Sequence, residues 1–138
     1  MKHLVFAGVV ALAPISAIAD TYKCEVKPDT GHEDWLIPSV TFIEHDKATG
    51  EVVVFDGLIK EIYGQPIEAR ISTDNAKRTT YSWNVSGLKV GTTEGGTAMM
   101  QNIVYKFTIV KANLQARTSV KPLGFLNTFR GKGKCSIM

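Results

Sequence analysis

The sequence has little of what marks several specialised protein classes. Only two of its 138 residues are cysteines and they form no Cys-x-x-Cys pair, which argues against a zinc cluster or a dithiol redox motif. Its 16 Lys and Arg residues nearly balance its 13 Asp and Glu residues, so the charge does not indicate nucleic acid binding. Hydrophobic residues make up 44% of the chain, which is too many for a disordered tail.

Catalytic motifs and long apolar runs are also missing. The sequence contains no Gly-x-Ser-x-Gly elbow, no His-Glu-x-x-His pair, no internal repeat and no linker. Its longest apolar run near the start covers residues 4 to 13, whereas a membrane-spanning helix needs about 20 apolar residues. We therefore expect one domain without a cofactor and without a transmembrane span in the mature chain.

The first residues have the organisation of a cleaved secretory signal. A short basic start, Met1-Lys2-His3, precedes the apolar run, and the small-x-small sequence Ala17-Ile18-Ala19 follows it. The residues before Cys24 do not form a lipoprotein cleavage box. The sequence thus predicts a signal peptide over residues 1 to 19 and an exported domain, periplasmic or extracellular, over residues 20 to 138.

The two cysteines lie near opposite ends of the predicted mature chain, at Cys24 and Cys135. In an oxidising compartment, two cysteines of a small exported domain usually form a disulfide. Such a bridge requires the two Cα atoms to lie within about 7 Å of each other. We therefore predict a Cys24–Cys135 disulfide between neighbouring first and last strands, as in a closed sheet.

Alternating apolar and polar residues predict short strands along most of the chain. The clearest runs are residues 21–27, 40–45, 51–56, 67–72, 78–85, 104–111 and 114–120. Frequent turn signals favour an all-β antiparallel meander of seven or eight strands in a closed or nearly closed barrel, with a β-sandwich as the alternative. Residues 58–63 could form a turn and a half of helix that Gly64 and Pro66 stop. We interpret them as a strand, because a helix of about seven residues has little intrinsic support.

Two histidines lie beside carboxylates and are candidates for metal ligands. His32 precedes Glu33 and Asp34, and His45 lies between Glu44 and Asp46. If the fold brought the two groups together, they could bind zinc or copper, or act in acid–base catalysis. Each histidine also fits a solvated turn. An enzyme that uses His32, His45 and these carboxylates, metal-dependent or hydrolytic, is therefore the alternative function.

One basic segment is a candidate anion site. Arg130, Lys132 and Lys134 alternate with glycines just before Cys135. Backbone N–H groups beside glycine can approach an anion, and the three cations favour phosphate or an acidic surface. The competing interpretation is an edge strand whose charges block aggregation.

Four large side chains are candidates for a ligand pocket: Trp35, Trp83, Met99 and Met100. Pockets are mostly apolar, and the glycine-rich residues 91–97 before the two methionines could gate a cavity. Trp83 fits a core strand equally well. The leading function is therefore a non-enzymatic binding or envelope-interaction module, which takes a small apolar ligand inside or an envelope or protein partner outside.

Overall fold

The computed structural model describes residues 19–30 and 35–138. Residues 1–18 of the predicted signal peptide and His32 therefore lie outside the described residues, while Ala19, its last predicted residue, begins the first strand. Ten strands and one helix follow in chain order: β1 Ala19–Pro28, β2 Val40–Asp46, β3 Val52–Asp56, α1 Gly57–Tyr63, β4 Ile67–Asp74, β5 Arg78–Val85, β6 Leu88–Gly91, β7 Thr97–Met100, β8 Ile103–Val110, β9 Gln115–Pro122 and β10 Phe129–Ile137.

Eight of these strands form a closed antiparallel barrel in the order β1-β10-β9-β8-β5-β4-β3-β2. Consecutive strands pair with each other, except that the separate β6–β7 hairpin lies in the chain between β5 and β8. The predicted all-β meander in a closed barrel is confirmed. The antiparallel arrangement also gives the barrel two different ends, which carry different kinds of connection.

We call these two ends the turn end and the loop end. The turn end carries the short connections 47–51, 75–77 and 111–114, together with the start of β1 and the end of β10. The loop end carries the segment between β1 and β2, the helix α1, the β6–β7 hairpin and the loop 123–128. The longer and more varied connections therefore all lie at one end.

Side chains fill the barrel interior. Trp83 of β5 stacks on Tyr105 of β8, with ring centroids 5.5 Å apart and an interplanar angle of 3°, and also lies 6.1 Å from the Phe107 ring. All three rings are buried, with Tyr81 beside them in the core. Eight-stranded barrels have interiors just wide enough for side chains to fill, and these four large residues account for much of the filling.

The disulfide joins the first and last strands of the barrel. Cys24 of β1 lies directly opposite Cys135 of β10, the two Cα atoms are 3.9 Å apart, and both side chains are buried. The predicted Cys24–Cys135 disulfide is confirmed. It closes the barrel at the junction between strands that are 111 residues apart in sequence.

The interpretation of residues 58–63 as a strand is wrong, because this segment belongs to α1. Asp56 caps the helix, accepting a hydrogen bond from the Ile59 N–H at 2.8 Å. Gly64 ends the helix in the left-handed conformation, at φ 71°, and donates to the Lys60 carbonyl at 3.0 Å. Both caps satisfy backbone groups. A helix of seven residues is not stable by itself, and burial of Leu58 and Ile59 against the core stabilises this one.

Candidate functional site

Exposed apolar side chains are concentrated at the loop end. Eight large hydrophobic residues are exposed in the described part of the chain. Six of them lie on loop-end segments: Trp35, Tyr63, Met99, Leu123, Phe125 and Leu126. The other two are the C-terminal Ile137 and Met138. Single exposed hydrophobic residues are normal, but a cluster on one end of a domain indicates an interaction surface.

A groove opens beside Trp35 at this end. Its volume is about 700 Å³, and its apolar lining comes from β1, from the segment before β2, from the first residue of β2 and from α1. The apolar lining residues are Val26, Pro28, Trp35, Ile37, Pro38, Val40 and Leu58. Lys27 and Glu61 add one charge of each sign. A groove of this size and composition falls within the range of ligand sites, about 300 to 1,000 Å³.

The residues after Trp35 are fixed to the barrel and hold one wall of the groove in place. Leu36 and Ile37 are buried, and the Tyr105 hydroxyl donates to the Leu36 carbonyl at 2.7 Å. Two residues further on, the Ser39 carbonyl accepts a hydrogen bond from the Val26 N–H at 3.0 Å. Trp35 itself is 57% exposed. The groove wall is therefore anchored, while the indole at its edge faces solvent.

Of the four residues predicted to line a pocket, Trp35 alone lines this groove. Trp83 lies in the core. Met99 and Met100 lie in β7, opposite Lys89 and Leu88 of β6. Met99 is exposed, whereas Met100 is partly buried against the core. Of the predicted gating loop 91–97, residues 92–96 form the turn of this hairpin, closed by hydrogen bonds between Thr92 and Gly96, and Gly91 pairs with Thr97 at the strand ends.

His45 lies at the turn end and is buried. Its Nδ1 is 2.9 Å from the Tyr81 hydroxyl, and the two rings meet edge to face with centroids 5.6 Å apart. Burial lowers the pKa of His45, and the nearby Lys47 lowers it further. The described residues contain no group of three or more His, Cys, Asp or Glu side chains that could hold a metal ion. His32 lies outside the described residues, so the structure does not test the case in which the two histidines come together.

Charged pairs surround a smaller cavity of about 260 Å³ at the turn end, which Tyr22 and Tyr81 also line. Lys47 pairs with Asp20 at 3.2 Å and Lys111 pairs with Asp74 at 2.8 Å. Each cation here is matched by a carboxylate. This cavity therefore presents little net charge to a ligand, and sequence patterns gave no indication of it.

The burial of His45 makes stability depend on pH. Because its pKa is lowered in the folded protein, the unfolded chain binds the proton first, near its ordinary pKa of about 6.5. The contribution of His45 to the free energy of unfolding is therefore fully present above that pH, and it is lost as the pH falls toward the lowered pKa. We expect the urea midpoint to fall more between about pH 7.5 and about pH 5.5 in the wild type than in His45→Gln. Equal falls in the two proteins would contradict this assignment.

The predicted anion-binding residues lie on the outer face of β10. Arg130, Lys132 and Lys134 are exposed, whereas the intervening Gly131 and Gly133 face β1 at close range. The strand register adds two cations that the sequence segment does not contain, because Lys132 lies opposite Lys27 of β1 and Arg117 of β9. The basic surface is therefore larger than residues 130–134.

No helix among residues 19–30 and 35–138 is long and apolar enough to cross a membrane. Comparisons with protein-family models, with curated proteins and with solved structures found no match to this chain. The functional assignment therefore depends on the geometry and chemistry of the two ends of the barrel.

Proposed function

We propose that this protein is an exported, non-enzymatic binding module that contacts a component of the cell envelope through the loop end of its barrel. The observation that carries the proposal is the position of the exposed apolar residues, six of eight of which lie at that end. The groove beside Trp35 is the site that we assign to an apolar chain of the bound component.

The interior of the barrel favours an external site over an enclosed one. Trp83, Tyr105 and Phe107 occupy the space that a small apolar ligand would need. The groove, in contrast, has the exposed Trp35 in its lining. An apolar chain that entered it would remove the exposed Trp35 and the partly buried Pro38 and Val40 from water, at about 25 cal/mol for each Å² buried.

Export is supported by the disulfide and by the sequence of residues 1 to 19. Disulfides persist in oxidising compartments and are rare in the cytosol, and this chain has a buried one between its first and last strands. The signal-like order of a basic start, an apolar run and Ala17-Ile18-Ala19 agrees with the same compartment. We therefore assign the protein to the periplasm or the extracellular space.

The position of His45 favours a structural role over catalysis. Its Nδ1 is engaged with the Tyr81 hydroxyl, and its side chain is buried at the turn end, away from the groove. A general base must reach the proton that it abstracts. The enzyme alternative therefore receives no support from the described residues.

The test is the fluorescence of Trp35 during titration with lysophosphatidylcholine below its micellar concentration. This probe has one acyl chain and no net charge. We expect a blue shift of emission in the wild type, because Trp35 is exposed and the chain would cover it. Trp35→Phe retains only the buried Trp83 and should show no shift.

A pair of matched variants tests the location of the binding site. Val40→Asp places a charge in the groove lining. We expect it to weaken binding of lysophosphatidylcholine about tenfold, which corresponds to a loss of roughly 1.4 kcal/mol of binding free energy. Val110→Asp places the same charge on a half-buried residue at the turn end and should bind as the wild type does. A wild-type protein without a shift, or equal weakening in both variants, would contradict the proposal.

A further inference from the structure

Positive charge is concentrated on one side of the barrel. The strands β8, β9 and β10 are neighbours and carry six basic residues without one acidic residue. These are Lys106, Arg117, Lys121, Arg130, Lys132 and Lys134, and all of them are exposed. We call these six residues together with Lys27 of β1 the basic face. Acidic residues border this face on the β1 side, where Glu25 lies directly opposite Lys134 and the Asp29 N–H donates to the Arg130 carbonyl at 2.9 Å. Glu44, Glu51 and Glu68 lie on or beside β2, β3 and β4.

The centre of the basic face is a row of three cations on three adjacent strands. Lys27 lies directly opposite Lys132, and Lys132 lies directly opposite Arg117. Like charges in directly opposite positions destabilise a sheet. The ion pairs of the described residues are Lys47–Asp20 and Lys111–Asp74, so none of the three cations is neutralised by an acidic partner there. An anionic partner would relieve this repulsion.

Exposed apolar residues directly adjoin the basic face. The loop 123–128 connects β9 to β10, and it contains Leu123, Phe125 and Leu126 between the cations Lys121 and Arg130. Leu126 is fully exposed, and the other two are about half exposed. This arrangement resembles that of interfacial membrane-binding segments, in which apolar side chains enter the acyl boundary and Lys and Arg contact anionic headgroups.

We propose that the basic face and the loop 123–128 dock the protein on a bilayer that contains anionic phospholipids. This inference rests on the proposed function and names the envelope component as lipid. The protruding Leu126 favours a membrane over a nucleic acid, since single-stranded nucleic acids are bound by aromatic stacking platforms in a charged groove. The groove beside Trp35 lies at the same end of the barrel and would take one acyl chain.

The experiment is co-sedimentation of the mature, oxidised protein with vesicles. Vesicles of phosphatidylcholine with about one third phosphatidylglycerol are compared with vesicles of phosphatidylcholine alone, at low salt and at about 0.5 M salt. We expect binding to the anionic vesicles that weakens with salt. Each Lys or Arg near such a surface contributes about fivefold in affinity. Lys132→Glu should therefore bind the anionic vesicles about fivefold more weakly because the attraction of Lys132 is lost. The repulsion between the new carboxylate and the lipid headgroups should weaken binding by about the same factor again.

A stability measurement distinguishes lost docking from lost folding. Because Lys132 lies between Lys27 and Arg117, Lys132→Glu should raise the urea midpoint while it weakens vesicle binding. Lys77→Glu makes the same change in net charge at a turn-end connection and should bind as the wild type does. Leu126→Ser should weaken binding without a change in midpoint, and Ile137→Ser, on the exposed end of β10, should not weaken it.

Three outcomes would overturn the inference: no binding to anionic vesicles, equal binding to both kinds of vesicle, or equal losses for Lys132→Glu and Lys77→Glu. Salt-sensitive binding to an oligonucleotide without binding to vesicles would overturn it as well, in favour of a nucleic acid partner. Lys27 lines the groove and also belongs to the basic face, but lysophosphatidylcholine has no net charge, so the Trp35 titration does not depend on attraction between the basic face and an anionic surface. A positive titration with failed vesicle binding would therefore leave the proposed function standing, and failure of both would remove both.

Discussion

Removal of the Cys24–Cys135 disulfide is expected to lower the free energy of unfolding by about 2 to 5 kcal/mol, the usual range for a small secreted domain. The bridge joins residues 111 positions apart, so it restricts nearly the whole unfolded chain. In the chain-entropy account, a loop of about 100 residues corresponds to about 4.7 kcal/mol. Both cysteines are buried, so replacing them with alanine also removes packing contacts of the two sulfur atoms and lowers the free energy of unfolding further.

The measurement is urea unfolding of the double variant Cys24→Ala/Cys135→Ala beside the oxidised wild type. Changing both residues leaves no free thiol that could form bridges between molecules. Wild-type protein reduced under denaturing conditions serves as the control, because it lacks the bridge but retains both side chains. If the double variant and the reduced protein both unfold at the wild-type urea concentration, the bridge does not stabilise the barrel.

Gly133→Ala is expected to destabilise the barrel by more than about 3 kcal/mol, beyond the usual range for overpacking. A Cβ atom at Gly133 would lie 1.7 Å from the Glu25 carbonyl oxygen and 2.8 Å from the Val26 Cα. Both contacts are with backbone, so no side-chain rotation can relieve them. The strand β1 would have to move away from β10 at the junction that the disulfide closes.

The control for this change is Gly91→Ala, at the end of β6. A Cβ atom at Gly91 meets no heavy atom within 4 Å, and its φ is not positive. We expect its thermal midpoint to stay within a few degrees of the wild type, as for a surface substitution of about 0.5 kcal/mol or less. Similar midpoints for Gly133→Ala and Gly91→Ala would contradict the close approach of β1 and β10.

The barrel could be predicted because its signals are local. Alternation along residues 78–85 and 104–111 identifies strands, and the structure pairs β5 with β8 throughout. The two cysteines then require the first and last strands to be neighbours, which implies closure. The pattern of residues 58–63, with Gly64 and Pro66 after it, also fits a short helix. Length argues against that helix, whereas burial of Leu58 and Ile59 stabilises it, and a seven-residue pattern does not show such tertiary packing.

The candidate site residues were harder to predict, because strand register and the side on which each side chain lies decide which of them come together. Lys27 and Arg117 are far from Lys132 in sequence, and only the pairing of β1, β10 and β9 places them in one row. His45 has charged sequence neighbours that indicate a solvated turn, yet strand alternation directs its ring toward Tyr81. Trp35 and Trp83 were grouped by chemistry, whereas the fold places one at a groove and one in the core.

The most direct test of the account is a hydrogen–deuterium exchange footprint of the mature protein with and without lysophosphatidylcholine. The central claim is that the protein binds through its loop end. We expect slower exchange in residues 35–40 and in α1, with no change at the connections 47–51 and 75–77. Slower exchange confined to those turn-end connections, or no footprint at a concentration that saturates the Trp35 signal, would contradict it.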